Sequence, residues 1–493
     1  MDVVISGAGP VGLMLACELR LGGVSVLVLE RRTDIDQTIK AASITTSTAV
    51  AMYRRGLLPE LMEQQRPAAD RMREFLQRMP RPDGAARPNI RSAGQFAGIP
   101  VSTDLLGPAD QAVGPARDLV MVAQQRIEQV LADRAVALGV EVRRGVELKA
   151  FEADDDGVTV HVGEDTVRAG WLVGCDGGRS LVRKTAGFGF PGTDPTFTGR
   201  QALVDLDGAE NLHPGWHPGA GGMVGYQPMP GRVVTVEFDG PPADRDAPLT
   251  REEVEDSLRR VSGADVRVTN VRTATRYTDN SRLATTYRLG RVLLAGDAAH
   301  VHSPFGGQGL NLGLGDAVNL GWKLAATVRG DAPAGLLDTY TSERRPIAEW
   351  VLEWTRAQTA LMRPDAHSSA LRAVVTDLLG TQGGATYVAS RLSGLTHRYP
   401  MEGDHELVGT SAPDFELADG TRLGEHLRDG TGLLLDLTAS RPEVTGVRTV
   451  STKCVSHPVL TGVLVRPDGF IAWASENGGS DGLSEALHTW FTD

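Results

Sequence analysis

Cysteine is nearly absent from this chain, with three residues in 493. Cys17, Cys175 and Cys454 lie far apart, and an odd count without a CxxC pair leaves no disulfide framework and no redox couple. Small buried residues in a reducing cytoplasm are what that usage implies. An excess of base is also missing, since 50 Lys and Arg face 62 Asp and Glu for a formal net charge of −12. That balance argues against a nucleic-acid partner and against an anionic membrane surface. No uninterrupted apolar run reaches the ~18 residues a membrane helix requires. The N-terminus runs straight into Val3-Val4-Ile5, so no secretory leader is expected. There is no G-x-S-x-G elbow and no other nucleophile signature. His300 and His302 have no further His, Cys or clustered carboxylate at ligand spacing, so no metal site is expected.

What remains is a globular composition, 41% hydrophobic and 23% charged, in a chain long enough for about two or three domains. The opening reads as strand, glycine turn, helix, strand. Gly22-Gly23 ends the helix, and Val24 to Leu29 is a continuous apolar run of the kind a parallel strand needs when both faces are covered. The stretch 66–118, broken by Pro67, Pro80, Pro82, Pro88, Pro100, Pro108 and Pro115, reads as an excursion of loops. Helix returns over Gln125 to Leu138. Asp154-Asp155-Asp156-Gly157 is a hairpin turn, and Trp171 to Gly174 a short buried strand. Between about 190 and 285, strands with Pro/Gly turns and one helix near Arg251 to Val261 suggest an antiparallel sheet inserted into the first domain. Arg291 to Leu294 returns the chain to that domain. Helices then dominate to about 395, and the tail after Pro413 is a small α/β unit. The expected division is 1–185 with 280–395, an inserted domain over 186–279, and a last domain over 405–493.

Three motifs carry chemistry. In Gly7-x-Gly9-Pro10-x-Gly12, glycines give a tight turn and close backbone approach, and a pyrophosphate sits on the positive end of the following helix. Glu30, at the end of the second strand with Arg31 beside it, is the acid that binds ribose hydroxyls, which favours FAD or NAD over NADP here. Gly174 to Ser180 is the second motif; alone, it also reads as a strand-to-helix turn capped by Asp176 or Ser180. The third is Gly296-Asp297-Ala298-Ala299-His300, followed by Pro304-Phe305-Gly306-Gly307-Gln308-Gly309-Leu310-Asn311. An Asp ending a buried strand suits a ribityl hydroxyl. Glycines opening a helix offer N–H groups to a phosphate or an electron-rich ring edge.

Together with Tyr340-x-x-Glu343-Arg344-Arg345-Pro346 and Leu464-x-Arg466-Pro467-Asp468-Gly469, these segments resemble the group A (para-hydroxybenzoate hydroxylase-like) flavoprotein monooxygenases. The nearest branch is the aromatic polyketide hydroxylases acting on angucyclines and tetracyclines, and rifampicin monooxygenase is also similar. The resemblance implies an α/β fold: a Rossmann-like domain of the GR2 type, the inserted antiparallel sheet as substrate domain, and a C-terminal thioredoxin-like domain lacking active cysteines. It implies bound FAD, with NADPH as transient co-substrate, O₂, and hydroxylation of a polycyclic aromatic polyketide through a C4a-hydroperoxyflavin. The flavin carries that chemistry, so no catalytic side chain is expected. Baeyer–Villiger oxidation, epoxidation, antibiotic inactivation and a non-redox auxiliary role stay open, as do a monomer and a homodimer.

By the same resemblance, Gln124, Arg126 and Asp297 lie near the ribityl and phosphates. Asp176 and Gly296 border the cofactor, and Pro304 with Gly307 to Asn311 lines the isoalloxazine. Lys40-Ala41 and Ser47-Thr48 depart from the family, which usually has Arg at both places. Met223, Tyr226, Gln227 and Met229, with Pro304 and Phe305, are the expected substrate wall.

Overall fold

The computed structural model describes residues 1–66, 92–107, 114–116, 119–244, 247–438, 444 and 447–491. Pro67, Pro80, Pro82, Pro88 and Pro108 of the proline-rich stretch lie outside the described residues.

The first domain is built on a six-stranded sheet. Its order is Arg288–Leu289, Val292–Leu294, Trp171–Gly174, Val3–Ser6, Val26–Glu30 and Glu141–Arg144. All neighbours are parallel except the first pair, a hairpin. Val3–Ser6 is buried throughout, which is why it reads as an unbroken apolar run and not an alternating one. The first helix, Pro10–Leu21, begins with Pro at its first position, where the missing N–H costs nothing. It packs against the helix Gln308–Arg329 so closely that a Cβ on Gly321 would stand 2.3 Å from Glu18 Cβ. A three-stranded antiparallel flap, Leu148–Ala153, Val158–Val162 and Asp165–Ala169, hangs on the sheet. Asp154 Oδ1 accepts from the N–H groups of Asp156 and Gly157 to form its turn.

The insertion is a five-stranded antiparallel sheet, ordered Gly215–Gly219, Gly222–Gln227, Arg232–Glu237, Thr198–Asp207, Arg267–Tyr277. The helix Arg251–Ser262, capped by Thr250, covers one face with Val254, Leu258 and Val261. The opposite face is left to the cavity described below. The last unit is a four-stranded mixed sheet: Arg448–Ser451, Leu433–Asp436, Gly462–Val465, Ile471–Ser475.

One reading needs correction. Within the stretch read as loops, Ser92–Phe96 pairs antiparallel with Ile99–Ser102. Ala97 (φ 52°) and Gly98 (φ 79°) both adopt positive φ in the two-residue turn, as a primed hairpin turn requires. Pro100 had signalled a break, but proline is tolerated on an edge strand, and there it sits exposed opposite Gln95.

The last unit is joined to the first by buried charge. Arg466, fully buried, donates to Glu343 at 2.7 and 2.9 Å and pairs with Asp468. Lys323 Nζ donates to the same Glu343 carboxylate at 2.7 Å and to Asn319 Oδ1 at 3.0 Å. Burial alone pushes the Glu343 carboxyl up, but Arg466 and Lys323 outweigh it and hold it down at about 2. Arg55 makes a second clamp: a bidentate pair with Glu18 at 2.7 Å, then donation to the carbonyls of Leu427 and Pro467.

Candidate active site

One cavity of about 2500 Å³ runs from the glycine turn of the first domain to the uncovered face of the inserted sheet. Gly7, Gly9, Pro10, Glu30 and Arg31 line its first end. The three glycines of the turn have different reasons to be glycine. Gly7 has φ +108°, and a Cβ there would stand 2.4 Å from the Cys175 carbonyl oxygen. A Cβ on Gly12 would meet Gly7 O at 2.0 Å. Gly12 itself is buried and outside the cavity, so its work is helix–strand packing. Gly9 is the exception, since its φ is −72° and a Cβ would meet nothing within 4 Å. Nothing in the described protein needs glycine at that point. A ligand pressed against the backbone does.

Four helices start at this cavity without a side-chain cap: Pro10–Leu21, Thr46–Arg54, Gln124–Ala137 and Gln308–Arg329. Uncapped starts leave N–H groups and the positive dipole ends unsatisfied, which suits a pyrophosphate and electron-rich ring atoms. Glu30 stands between them. Its Oε2 accepts from Ala8 N–H and its Oε1 from Arg32 N–H, each at 2.9 Å, so the carboxylate is fixed at the cavity edge with lone pairs to spare for ribose hydroxyls. This set of groups fits a flavin adenine dinucleotide: Glu30 would hold the adenosine ribose, Gly9 would admit the pyrophosphate, and the helix start at Gly307 would face the ring system.

The remaining expected cofactor residues divide into two groups. Lys40, Gln124, Asp176, Asp297, Pro304, Gly307, Gln308, Gly309 and Leu310 all border the cavity. Asp176 does double service, because its Oδ2 also accepts from Leu181 and Val182 N–H, while Ser180 caps the same short helix. Lys40 is paired with Asp36 at 2.9 Å. Gly296, Asn311 and Arg126 do not border it. Gly296 (φ +64°) donates its N–H to Asp316, and Asn311 accepts from Thr45 N–H at 2.8 Å and donates to Gly307 O, so both brace the loop from behind. Arg126 is exposed on the outer side of its helix.

At the far end the strands' two-residue period decides what faces inward. On Gly222–Gln227, Gly225 and Gln227 face the cavity, whereas Tyr226 only borders it and packs in the cluster beneath the covering helix. Met223 shares the inner face but lies further along, in the cluster with Phe305, Trp354 and Met362, and lines a separate cavity of about 460 Å³. Met229 sits in the turn before the next strand and lines neither. Met223 and Met229 are therefore not walls of the large cavity. Pro304 and Phe305 are.

The groups that sequence reasoning missed come from other strands. Trp216 lies over Gly225, where a Cβ would stand 3.2 Å from the indole. Its ring and that of Tyr277 meet Phe305 edge-on at centroid distances of 6.1 and 6.5 Å. Gln201 and Arg232 complete the floor. The signal available in sequence was the alternation in Gly231-Arg232-Val233-Val234-Thr235-Val236, which places Arg232 and Val234 on one face. Which face needed the sheet's partner helix to decide. Glu128 is a further unforeseen group: buried at the cavity edge, its carboxyl is pushed up by burial while Lys40 and Arg144 pull it back.

His302 donates from Nδ1 to the Ser303 carbonyl at 2.7 Å, and burial pushes its ionisation down. His300 pairs with Asp316 at 2.6 Å, both fully buried, and Asp316 in turn holds Arg344 at 2.8 Å. The two histidines thus have separate partners.

A family profile described as an FAD binding domain matches residues 1–355, and one described as the C-terminal domain of aromatic-ring hydroxylases matches 405–493. The chain is 43% identical to 12-dehydrotetracycline 5-monooxygenase/anhydrotetracycline 6-monooxygenase of Streptomyces rimosus, over 99% of this chain and 98% of that one. The solved structure of an anhydrotetracycline hydroxylase from that species superimposes with a TM-score of 0.86 at 40% identity, covering 99% of both chains. Rifampicin monooxygenase of Streptomyces venezuelae and dialkyldecalin synthase of Streptomyces rugosporus are each 38% identical, over 99% of this chain and 98% of theirs.

Proposed function

From the premise that this chain belongs to the FAD-dependent aromatic-ring monooxygenases, we propose that it hydroxylates a polycyclic aromatic polyketide in antibiotic biosynthesis, with NADPH and O₂ as co-substrates. The observation that carries this reading is continuity. The dinucleotide cradle at Gly9 and Glu30, the uncapped helix start at Gly307 and the aromatic wall of Trp216, Tyr277 and Phe305 open onto one cavity. Bound FAD, reduced by NADPH, supplies the activation of O₂. The chain's own contribution is position and dryness. Phe305, one residue before Gly306-Gly307, joins the flavin end to the substrate wall, and with Trp216 and Tyr277 it would hold a planar substrate and exclude water. Gln308 to Leu310, at the uncapped helix start, would hold the ring system through their N–H groups. Catalysis in the reducing cytoplasm, as monomer or homodimer, completes the proposal.

A second reading, FAD or substrate binding without redox turnover, is favoured by one observation: a 38% identical relative bears the name of a synthase, not of a monooxygenase. Anaerobic bleaching of the purified yellow protein by NADPH, with and without a panel of polycyclic phenols and quinones, separates the two. Substrate-accelerated bleaching, followed by a product one oxygen heavier on admission of air, supports hydroxylation. Flavin that no NADPH and no polycycle bleaches would transfer the weight to the synthase-like reading. A protein that cannot be loaded with FAD would end the hydroxylase reading and leave only substrate binding.

A further inference from the structure

Arg232 is a guanidinium without an acid. It projects from the inner face of the strand Arg232–Glu237 into the large cavity. Its Nη2 donates to Gln201 Oε1, and Gln201 is itself held by Ile39 O at 3.0 Å. Its Nε is buried with no hydrogen-bond partner among the described residues. The titratable side chain that acts on it is Tyr277, and no carboxylate does so among the described residues. This differs from the rest of the sheet. Arg200, Arg260 and Arg276, on the helix-covered side, are all matched to Glu237 or Glu253 at 2.6 to 2.8 Å. In a chain with twelve more acids than bases in its formal charge, no carboxylate among the described residues pairs with this guanidinium inside the large cavity. A desolvated guanidinium costs free energy unless it is paired, so the partner is expected to arrive with the ligand.

The surroundings limit what that ligand is. Tyr277 covers Gly199, where a Cβ would be 2.3 Å from its ring, and burial holds its phenol protonated, so it presents a donor. Trp216 and Phe305 give the slot flat aromatic walls. The site therefore offers two donor groups, Arg232 and Tyr277, in the lining of a slot with flat aromatic walls.

We propose that Arg232, backed by Gln201 and faced by Tyr277, binds an ionised phenol or enol oxygen on the edge of the substrate. The substrate class is then aromatic polycycles whose hydroxyl is acidic by conjugation with a ring carbonyl. The proton leaves to solvent as the anion binds. The bound oxygen keeps its electron pair and pushes density into the ring, which raises the nucleophilicity of the carbons ortho and para to it. An electrophilic oxygen transfer needs that activation, and no base is required beside the flavin to create it. This inference rests on the hydroxylase reading.

Alizarin, whose visible colour reports ionisation of its phenols, is the probe. Titrated into the FAD-loaded protein, it is expected to bind as the anion at a pH where the free dye is neutral, its apparent pKa lowered by about one pH unit or more. Arg232→Gln should abolish the anion spectrum and weaken binding on the order of tenfold to a hundredfold, the range for a lost hydrogen bond to a charged group. Arg232→Lys should restore part of the anion preference, and Tyr277→Phe should lower it with smaller effect. 1,2-Dimethoxyanthraquinone, which cannot ionise, should bind wild type and Arg232→Gln alike. Flavin content and circular dichroism of each variant check folding. Dye bound in its neutral form, or equally well by Arg232→Gln, overturns the proposal and leaves the hydroxylase reading standing. So does an Arg232 effect confined to the KM for NADPH, or seen with anthraquinone-2-carboxylate and not with alizarin. Wild-type protein that binds none of these polycycles overturns both.

Discussion

Replacing Gly9 by alanine tests the cofactor cradle without disturbing the protein around it. At this residue the backbone has φ −72°, which any L-residue adopts, and the new methyl group meets no described atom within 4 Å. Gly9 is the N-cap of Pro10–Leu21, with no side-chain cap to lose. Glycine-to-alanine at an N-cap costs under about 1 kcal/mol, so the apoprotein should unfold in urea within that margin of wild type. The flavin should notice far more. The methyl occupies the space from which the pyrophosphate reaches the uncapped N–H groups, and one charge-assisted hydrogen bond lost is about 1.5–3 kcal/mol. FAD affinity should therefore fall on the order of tenfold to 150-fold, read by flavin fluorescence quenching on titration of apoprotein. Gly12→Ala is the contrast. Its Cβ would lie 2.0 Å from Gly7 O, and overpacking of that kind destabilises by about 1–3 kcal/mol or more, so its loss of FAD should track a loss of fold. Gly9→Ala binding FAD as tightly as wild type would refute the placement of the pyrophosphate against Gly9.

Removing Glu343 should be among the most damaging single changes in the chain. Glu343→Ala leaves Arg466 and Lys323 buried without their shared carboxylate, at a cost of about 3–5 kcal/mol, measurable as a lower urea midpoint. Because Glu343 is held at about 2 against an ordinary 4.5, its contribution is complete above about pH 4.5 and drains away as pH falls towards 2. Glu343→Gln should flatten that limb of the stability profile. Trp216→Ala should raise the substrate KM by about twofold to tenfold, the range for one aromatic pair, while FAD binding stays unchanged; a parallel loss of FAD would mean that Trp216 supports the flavin instead.

Much of this site could be read from residues close together in sequence. The glycine turn, Glu30 and the helix start at Gly307 are local patterns whose spacing carries the chemistry. The inserted sheet was visible because its turns are rich in glycine and proline. The substrate floor was not visible. Gln201, Arg232 and Tyr277 come from three strands separated by up to 76 positions in numbering (277 − 201), and only register brings them together. That Met223 lines the smaller cavity is not legible for a related reason: strand alternation names a face but not a position along it. Glu343 and Arg466 stand in motifs that carry the family resemblance, but their burial and their pairing with Lys323 are not legible there, since long-range pairing leaves no trace in any one window of sequence.

The two clamps on the last unit share an address with the cofactor. Pro10–Leu21 begins at the glycine turn and, eight residues on, supplies Glu18 to Arg55, which also donates to the carbonyls of Leu427 and Pro467 in the last unit. Gln308–Arg329 begins at the Gly306-Gly307 turn of the same cavity and supplies Asn319 and Lys323 to the Glu343 cluster. On the proposed reading each helix is thus a rod held twice, by the cofactor at its start and by the C-terminal fold further along. For an engineer, this makes the final ninety or so residues (405–493) a poor place to cut or to splice. A chimera that exchanges that unit but mismatches Arg466 or Pro467 would let go of the rods, and loosened helix starts would be felt first as a protein that loses its colour.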